Sequence, residues 1–222
     1  MNGNDASMKG KGGRLVIAVD GPAASGKGTL ARRLAAHYGL PYLDTGLLYR
    51  MVARAMLDDD RDIHDAAAAE HVVASFDQSG FAEETLRGRE IGEAASVVAA
   101  MPAVRKGLIE RQRSFAAQPQ GAVLDGRDIG TVICPDAPAK LFVTATPEVR
   151  AARRHKELAG RGEAATFEGI LADIRRRDAR DSGRSDAPLK AAEDAVILDT
   201  SALTVEEAVV AAITIVNARR AG

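Results

Sequence analysis

Short apolar runs alternate along the chain with segments whose apolar residues recur every three or four positions. The runs are nearly continuous in Val, Ile and Leu, which is typical of strands that other elements cover on both faces. They occupy residues 14–20, 41–44, 122–125, 140–145 and 195–200. Because strands and helices alternate, the pattern predicts an α/β fold in which a five-stranded parallel sheet lies between two layers of helices.

Local signals indicate which helix faces are buried and where two helices begin. One helix is predicted by Leu30, Ala31, Leu34 and Ala35, and another by Val97, Met101, Val104 and Leu108. Thr146 before Pro147 predicts an N-cap with proline at the first helical position. Thr204 and Glu207 have the spacing of a capping box, which predicts the start of the last helix.

Two segments interrupt the alternation of strands and helices. The first, about residues 58–95, is rich in Ala and acidic residues, has few strand signals and is longer than an ordinary connection. The second, about residues 155–188, is dense in charge and glycine from Gly160 onward. We expect both to project from the sheet and to move. Residues 14–220 are then predicted to form a single domain, preceded by a disordered leader at residues 1–13.

The charge balance and the cysteine content narrow the classes of partner and compartment. Thirty basic and 31 acidic side chains give a net charge of −1, so neither nucleic acid nor an anionic membrane is expected as a partner. Cys134 is the single cysteine, which excludes an internal disulfide, and we expect it to pack as an apolar residue. No membrane-length apolar stretch or signal-peptide core occurs, so a cytoplasmic protein is expected. No histidine lies at metal-ligand spacing from other ligand types. The histidines are His37, His64, His71 and His155.

The segment GPAASGKGT follows the first predicted strand directly and is typical of a loop that binds nucleotide phosphates. Its glycines let backbone N–H groups converge on phosphate oxygens, and Lys27 can reach the outer phosphates of ATP. Gly28 stands where such loops usually carry Ser or Thr, so no residue is assigned to bind Mg²⁺ directly. The cation is expected to arrive with ATP, held by phosphates and water with Thr29 as the available hydroxyl. The predicted ATP-binding residues are Gly21, Pro22, Ala23, Ala24, Ser25, Gly26, Lys27, Gly28 and Thr29.

A second interpretation fits the same letters. Gly26, Gly28 and Ala31 have the spacing of a dinucleotide fingerprint, and Asp44 ends the next strand where a ribose ligand would lie. An NAD-dependent oxidoreductase is therefore an alternative. It is the weaker one, because several residues separate Gly26 from the strand end at Asp20 and because the fingerprint has no role for a lysine.

Arginines are concentrated in the second excursion. Arg177, Arg180, Asp181 and Arg184 have spacings that place them on one helix face, as Arg150, Arg153 and Arg154 are on another. A solvated surface helix is the simpler explanation for such a run. However, residues 175–177 are all arginine. Together with Arg180 and Arg184 they carry more positive charge than Asp178 and Asp181 can neutralise, which favours a bound anion.

A series of motifs adds a resemblance to these local signals. VDGPAASGKGT, LDTGLLYR, AASVVAAMPAVR, LDGRDIGTVICPDAPAKLFVTA and RRRDARDSGRSDAPL resemble, in order and spacing, those of the bacterial cytidylate kinases, over roughly residues 14–215. The resemblance implies a three-layer P-loop kinase fold with a monophosphate-binding insertion and a lid. It also implies transfer of the γ-phosphoryl group of ATP, as its Mg²⁺ complex, to CMP or dCMP by a protein that we expect to be a monomer.

The resemblance also implies roles for particular residues. The acceptor phosphate would be bound by Arg50, Arg127 and Arg184 with Thr45, and Asp125 would lie close to the acceptor. The base would be read by Ser96, Arg105 and Asp128 with Tyr49 beside it, and the ribose would be contacted by Asp181 and Arg177. The donor phosphates would be bound by Lys27, Arg153, Arg154 and Arg180. The catalytic set would be Lys27, Arg127, Arg180 and Arg184.

Base chemistry agrees with one of these roles. Cytosine offers an exocyclic amino donor beside ring acceptors, which complements a carboxylate paired with an arginine, and uracil reverses that pattern. From the sequence alone, Asp128 is equally well explained as the N-cap of a helix that follows the strand. Two further alternatives are a kinase of another small substrate and a nucleotide-sensing regulator of the same fold.

The chain departs from the longer members of the resembled family between the YR and AAS motifs. SFDQSGFAEETLRGREIGEAAS is short and lacks the alternation of a small antiparallel sheet. A reduced insertion without that sheet is expected.

Overall fold

The computed structural model describes residues 14–75, 81–86 and 88–221. The predicted leader, residues 1–13, and part of the insertion, residues 76–80, lie outside the described residues. Five strands form one sheet in which every pairing is parallel, as predicted, and their order across the sheet is β2-β3-β1-β4-β5. The strands are β1 Leu15–Asp20, β2 Tyr42–Asp44, β3 Gly121–Gly126, β4 Ala139–Thr144 and β5 Val196–Asp199.

Helices cover both faces of the sheet, which confirms the three-layer α/β prediction. Alternate residues of β1 enter two different hydrophobic clusters, as its pleat requires. Leu15, Ile17 and Val19 pack with α1 and α8, whereas Val16 and Ala18 pack on the side of α5. The helices are α1 Lys27–Tyr38, α2 Thr45–Asp58, α3 Ala66–Ser75, α4 Arg89–Val98, α5 Pro102–Ala116, α6 Pro147–Gly160, α7 Phe167–Ser182 and α8 Val205–Ala221.

Both predicted helix starts are confirmed. The Thr146 hydroxyl accepts a hydrogen bond from the Val149 amide at 3.3 Å, with Pro147 at the first position of α6. At α8, the Thr204 amide donates to the Glu207 carboxylate at 2.8 Å, and the Glu207 amide donates to the Thr204 hydroxyl at 3.2 Å. These reciprocal bonds form a capping box.

The prediction of one helix through Val97 and Leu108 is wrong, because two helices meet there. α4 ends at Val98 and α5 begins at Pro102. Met101 has extended backbone angles, φ −84° and ψ 120°, since the ring of a following proline excludes the α conformation. Proline then serves as the first residue of α5.

The two predicted excursions have helical cores of their own. In the first, α3 packs with α2, α4 and α5 around a separate cluster that includes Val52, Met56 and Val72. Within its described part, the insertion contains helices and a short 3₁₀ turn, Glu83–Leu86, and no strand. In the second, Leu158 and Ile174 join α6 and α7 into a two-helix hairpin.

Candidate active site

The phosphate loop runs from the end of β1 to the start of α1 in a conformation that its small residues permit. Gly21 has φ +150°, and a Cβ atom there would lie 2.0 Å from the Val143 carbonyl oxygen, so no side chain fits. Ala24 and Gly26 take the left-handed conformation at φ 60° and 89°. The turn delivers Lys27 to the first position of α1, where free N–H groups and the helix dipole favour an anion.

Lys27 is enclosed by the loop. Its ammonium donates to the Pro22 carbonyl oxygen at 3.5 Å. Desolvation, reinforced by the positive charge of Arg127, lowers the pKa of Lys27 to about 8, and the charges of Asp125 and Asp44 oppose the shift. A phosphate close to this ammonium would therefore stabilise its charged form.

Gly28 leaves room for the carboxylate of Asp125. A Cβ atom at position 28 would lie 3.0 Å from the Asp125 carboxylate oxygen, to which the Tyr42 hydroxyl donates at 3.3 Å. Burial and the nearby charge of Asp44 raise the pKa of Asp125 to about 7. Asp44, Asp125 and the Thr29 side chain line one cleft, so hard oxygen ligands of the kind that Mg²⁺ prefers lie beside the loop.

Asp181 lies at the centre of three arginines. Its carboxylate is 3.0 Å from Nε of Arg127, 3.9 Å from Nε of Arg177, and pairs with Arg184. Burial opposes its ionisation, but the three positive charges outweigh burial and lower the pKa of Asp181. One carboxylate thus gathers three cations and leaves an excess of positive charge.

Two corrections apply to the predicted arginine face. α7 ends at Ser182, so Arg184 lies beyond the helix and reaches back to Asp181 from the following turn. The surface-helix explanation is wrong for Arg177, which lines the cleft, and desolvation lowers its pKa to about 10. Three guanidinium nitrogens are buried without a hydrogen-bond partner in the described chain, which suits a bound anion. They are Nε of Arg177, Nη1 of Arg180 and Nε of Arg184.

Arg50 and Thr45 extend this cationic region along α2. Nη1 of Arg50 donates to the Leu86 carbonyl oxygen at 2.8 Å, which joins α2 to the 3₁₀ turn of the insertion. The Thr45 hydroxyl donates to the Asp125 carbonyl oxygen at 2.7 Å. A hydroxyl and a guanidinium from one helix thus line the same cleft.

The cleft is also lined by a buried ion pair between Arg105 and Asp128. Nη1 of Arg105 also lies 3.5 Å from the Tyr49 hydroxyl, and Nε lies 3.2 Å from the carboxylate of Asp186. The Ser96 hydroxyl faces the same cleft, buried and without a hydrogen-bond partner among the residues described. These are donors and acceptors of the kind that could read a base edge.

The N-cap explanation of Asp128 is wrong. Asp128 precedes one turn of π-helix, Ile129–Ile133, but its side chain makes no cap hydrogen bond and pairs with Arg105 instead. The residue that binds this turn is Asp20, whose two carboxylate oxygens accept from the Ile129 amide at 2.8 Å and the Gly130 amide at 2.7 Å.

Sequence reasoning missed Asp20, although its place at the end of β1 was a usable signal. Desolvation raises the pKa of Asp20 to about 6, and its two backbone hydrogen bonds oppose the shift. Its bonds fix the segment that carries Arg127 and Asp128 to the strand that carries the phosphate loop.

The arginines predicted to bind donor phosphates are placed differently from one another. Arg154 lines the cleft and pairs with Glu157 at 2.8 Å. Arg153 donates to the Ser25 carbonyl oxygen at 3.2 Å and to the Thr200 carbonyl oxygen at 2.6 Å, so it supports the loop from behind.

Arg180 and its neighbours on α7 reach across to α4. Arg180 pairs with Glu93, another residue that the sequence did not mark, at 2.5 Å. A second pair, Arg89 with Asp173, joins the same two helices. Ion pairs therefore connect the hairpin of α6 and α7 to the insertion.

Comparison with known proteins identifies the family. The family model described as cytidylate kinase matches residues 17–218, most of the chain. The chain belongs to the cytidylate kinase family. A cytidylate kinase of Xanthobacter autotrophicus is 64% identical over 208 residues, which cover 94% of this chain and 100% of that protein. One of Methylobacterium sp. is 66% identical over 181 residues, 82% of this chain and 86% of that protein.

Solved structures agree on the fold. An uncharacterized protein from Eubacterium ventriosum has a TM-score of 0.52 at 15% identity, covering 95% of this chain and 100% of that one. A putative kinase from Chloroflexus aurantiacus has a TM-score of 0.50 at 16% identity, covering 96% of this chain and 100% of that one. At these identities the likeness concerns architecture alone.

One cleft of about 920 Å³, a volume suited to organic ligands, gathers most of the residues predicted from the cytidylate kinase motifs. The predicted site residues that do not line it are Gly21, Pro22, Ser25, Arg153 and Arg180. The predicted site residues along its wall are Ala23, Ala24, Gly26, Lys27, Gly28, Thr29, Thr45, Tyr49, Arg50, Ser96, Arg105, Asp125, Arg127, Asp128, Arg154, Arg177, Asp181 and Arg184.

Among the described residues, no three His, Cys, Asp or Glu side chains are grouped so as to hold a metal ion. None of the described helices has the length and apolarity needed to cross a membrane.

Cys134 is half-buried, packs against the cluster that contains Val16, and has its pKa raised by burial.

Proposed function

We propose that the cleft transfers the γ-phosphoryl group of ATP to CMP or dCMP, giving ADP and CDP or dCDP. The observation that carries this proposal is that the Arg105–Asp128 pair and the phosphate loop line one cleft. The three arginines around Asp181 line the same cleft and are cations suited to phosphate. The family assignment supports the same reaction.

Selection of cytosine follows from the charges of the Arg105–Asp128 pair. The Asp128 carboxylate accepts from the exocyclic amine, and the Arg105 guanidinium donates to ring acceptors. Uracil would place its carbonyl oxygen against the carboxylate and its ring N–H against the guanidinium. Two like partners at a desolvated site would disfavour UMP by several kcal/mol, about 1–3 kcal/mol for each unpaired group. Ser96 and Tyr49 complete this subsite.

The reaction needs no protein nucleophile. An acceptor phosphate oxygen forms a bond to the γ-phosphorus while the bond to the β,γ-bridging oxygen breaks, and ADP departs with that electron pair. Lys27 holds the donor phosphates, and Arg50, Arg127 and Arg184 hold the acceptor phosphate, so catalysis is positioning and charge neutralisation. Arg154 and Arg180 contact the donor when the α6–α7 hairpin closes over the cleft and excludes water.

When bound with ATP, Mg²⁺ would supply positive charge against the donor phosphates. Thr29, Asp44 and Asp125 would hold it, directly or through water.

Asp181 and Arg177 would also contact the ribose. The chain would act as a cytoplasmic monomer without nucleic-acid or membrane partners, in keeping with its net charge of −1.

A coupled assay of ADP release tests the proposal. The purified protein receives ATP and Mg²⁺ with CMP, dCMP, UMP, AMP or shikimate as acceptor. We expect rapid release with CMP or dCMP and slow release with the others. Preference for shikimate or AMP would indicate a kinase of another substrate. ATP binding without turnover on any acceptor would indicate a nucleotide-sensing regulator, and NAD binding in place of ATP would indicate the dinucleotide alternative.

A further inference from the structure

Asp186 contacts the residue that reads the base, although no sequence motif assigns it a role. Its carboxylate oxygen lies 3.2 Å from Nε of Arg105. The Arg105 side chain is 2% exposed and that of Asp186 is 52% exposed, so Asp186 reaches a buried cation from the solvent side. Arg105 thus has a carboxylate at Nε, the Tyr49 hydroxyl at Nη1 and Asp128 at Nη2.

The loop that carries Asp186 is held on both sides. Before it, Arg184 pairs with Asp181 at the end of α7. After it, Ala187 is buried in the left-handed conformation at φ 48°, and the Leu189 amide donates to the Asp181 carbonyl oxygen at 2.8 Å. A non-glycine residue remains in this conformation only where its surroundings fix it. The backbone of Asp186 is therefore anchored, and its contact with Arg105 is built into the fold.

Charge balance indicates what this contact does. When Asp128 accepts a hydrogen bond from a base, it shares its negative charge between that base and Arg105. Without Asp186, Nε of Arg105 would lack an acceptor in a buried position while Asp128 offset less of the guanidinium charge, which is unfavourable. A second carboxylate at Nε keeps Arg105 paired while its other nitrogens face the base.

We propose that Asp186 is a positioning residue for base selection, which holds Arg105 in the orientation that distinguishes cytosine from uracil. This inference rests on the proposed function and concerns the acceptor subsite of the same cleft. Because Arg184 lies two residues earlier on the same loop, the loop links base reading to the arginine of the acceptor phosphate.

Enzyme kinetics on the full chain tests the proposal with Asp186→Ala, Asp186→Asn and, as a matched change in the same loop, Ser185→Ala. We expect Asp186→Ala to reduce the CMP-to-UMP ratio of kcat/KM about ten-fold, the size expected for one unpaired buried donor, through a higher KM for CMP. KM for ATP should stay near wild type, and Tm should fall by about 2–4 °C, the shift that loss of one hydrogen bond gives a chain of this size. Asp186→Asn should restore most of the ratio, because its amide oxygen can accept from Nε, and Ser185→Ala should leave the ratio unchanged.

A double-mutant cycle shows whether Asp186 acts through Arg105. In an Arg105→Met background, adding Asp186→Ala should leave kcat/KM for CMP unchanged. Two results would overturn the inference: a further loss of kcat/KM for CMP in the Arg105→Met background, or a wild-type CMP-to-UMP ratio in Asp186→Ala. Neither result would affect the proposed function if the wild-type enzyme is active on CMP. A wild-type enzyme inactive on CMP would overturn the proposed function first, and this inference with it.

Discussion

The carboxylate of Asp128 and the guanidinium of Arg105 form an ion pair whose side chains are 6% and 2% exposed. The pair comes from two distant parts of the chain, the turn after β3 and the first turns of α5. Charges at such depth are costly unless each is paired, so loss of one residue makes burial of the other less favourable. Buried pairs of this kind are good candidates for a role in specificity.

Replacement of Asp128 tests that role. Asp128→Ala should reduce the CMP-to-UMP ratio of kcat/KM by about 10- to 100-fold, because the amine of cytosine loses its acceptor and uracil no longer meets a carboxylate. Asp128→Asn is the matched variant, since its amide can donate to the uracil oxygen and should raise UMP activity above that of Asp128→Ala. Steady-state kinetics with both nucleotides measures this, and a wild-type ratio in folded Asp128→Ala would contradict it.

Removal of the loop lysine should abolish turnover and leave the fold intact. Lys27→Ala removes the ammonium that neutralises the donor phosphates, so kcat should fall at least about 100-fold. Because Lys27 has a lowered pKa, its charge is unfavourable in the free protein, and Tm should not decrease greatly. Thermal unfolding with and without ATP checks both parts. Arg33→Ala, an exposed change on the same helix, is the control and should behave as wild type.

The fold and the phosphate loop were predictable because their signals are local. Strand ends, the N-caps at Thr146 and Thr204 and the run from Gly21 to Thr29 depend on a few neighbouring residues, and the structure places them as expected. The break before Pro102 was equally local, and a stricter treatment of proline would have found it. The strand order was not predicted, since no short pattern encodes which strands become neighbours.

Contacts between residues far apart in the chain could not be predicted from the sequence. Asp20 binds amides 109 and 110 positions away, and Glu93 pairs with an arginine 87 positions away. Arg153 is of a residue type that commonly binds phosphate, yet its guanidinium donates to the backbone carbonyl oxygens of Ser25 and Thr200. Tertiary packing determines such partners, and the periodicity and spacing of residues along the chain do not reveal them.

Asp125 predicts a pH dependence of stability. Its pKa of about 7 lies above the ordinary value of 3.8, so the folded state binds the additional proton between these limits. The contribution of Asp125 to stability is therefore complete below about pH 4 and is lost as pH rises through about 7. Asp125→Asn lacks this titration. The Tm of Asp125→Asn minus that of the wild type should increase from about pH 5 to about pH 8 in apo protein. A constant difference would contradict the shift.

Asp20 should support both stability and acceptor binding. Asp20→Ala leaves the Ile129 and Gly130 amides unpaired, and at about 1–3 kcal/mol for each buried donor the free energy of unfolding should fall by about 2 kcal/mol or more. KM for CMP should rise, since the turn beside Arg127 and Asp128 is released. Urea unfolding and kinetics measure these effects. Asp20→Asn keeps one acceptor and should be intermediate, and wild-type stability in Asp20→Ala would refute the role.

The most direct test follows the phosphoryl group itself. The protein is incubated with CMP, Mg²⁺ and ATP labelled in its γ-phosphate, and the nucleotides are separated by anion-exchange chromatography. The account predicts that the label moves into the β-phosphate of CDP, with one ADP formed for each CDP. Label found only in ATP or in inorganic phosphate would contradict it.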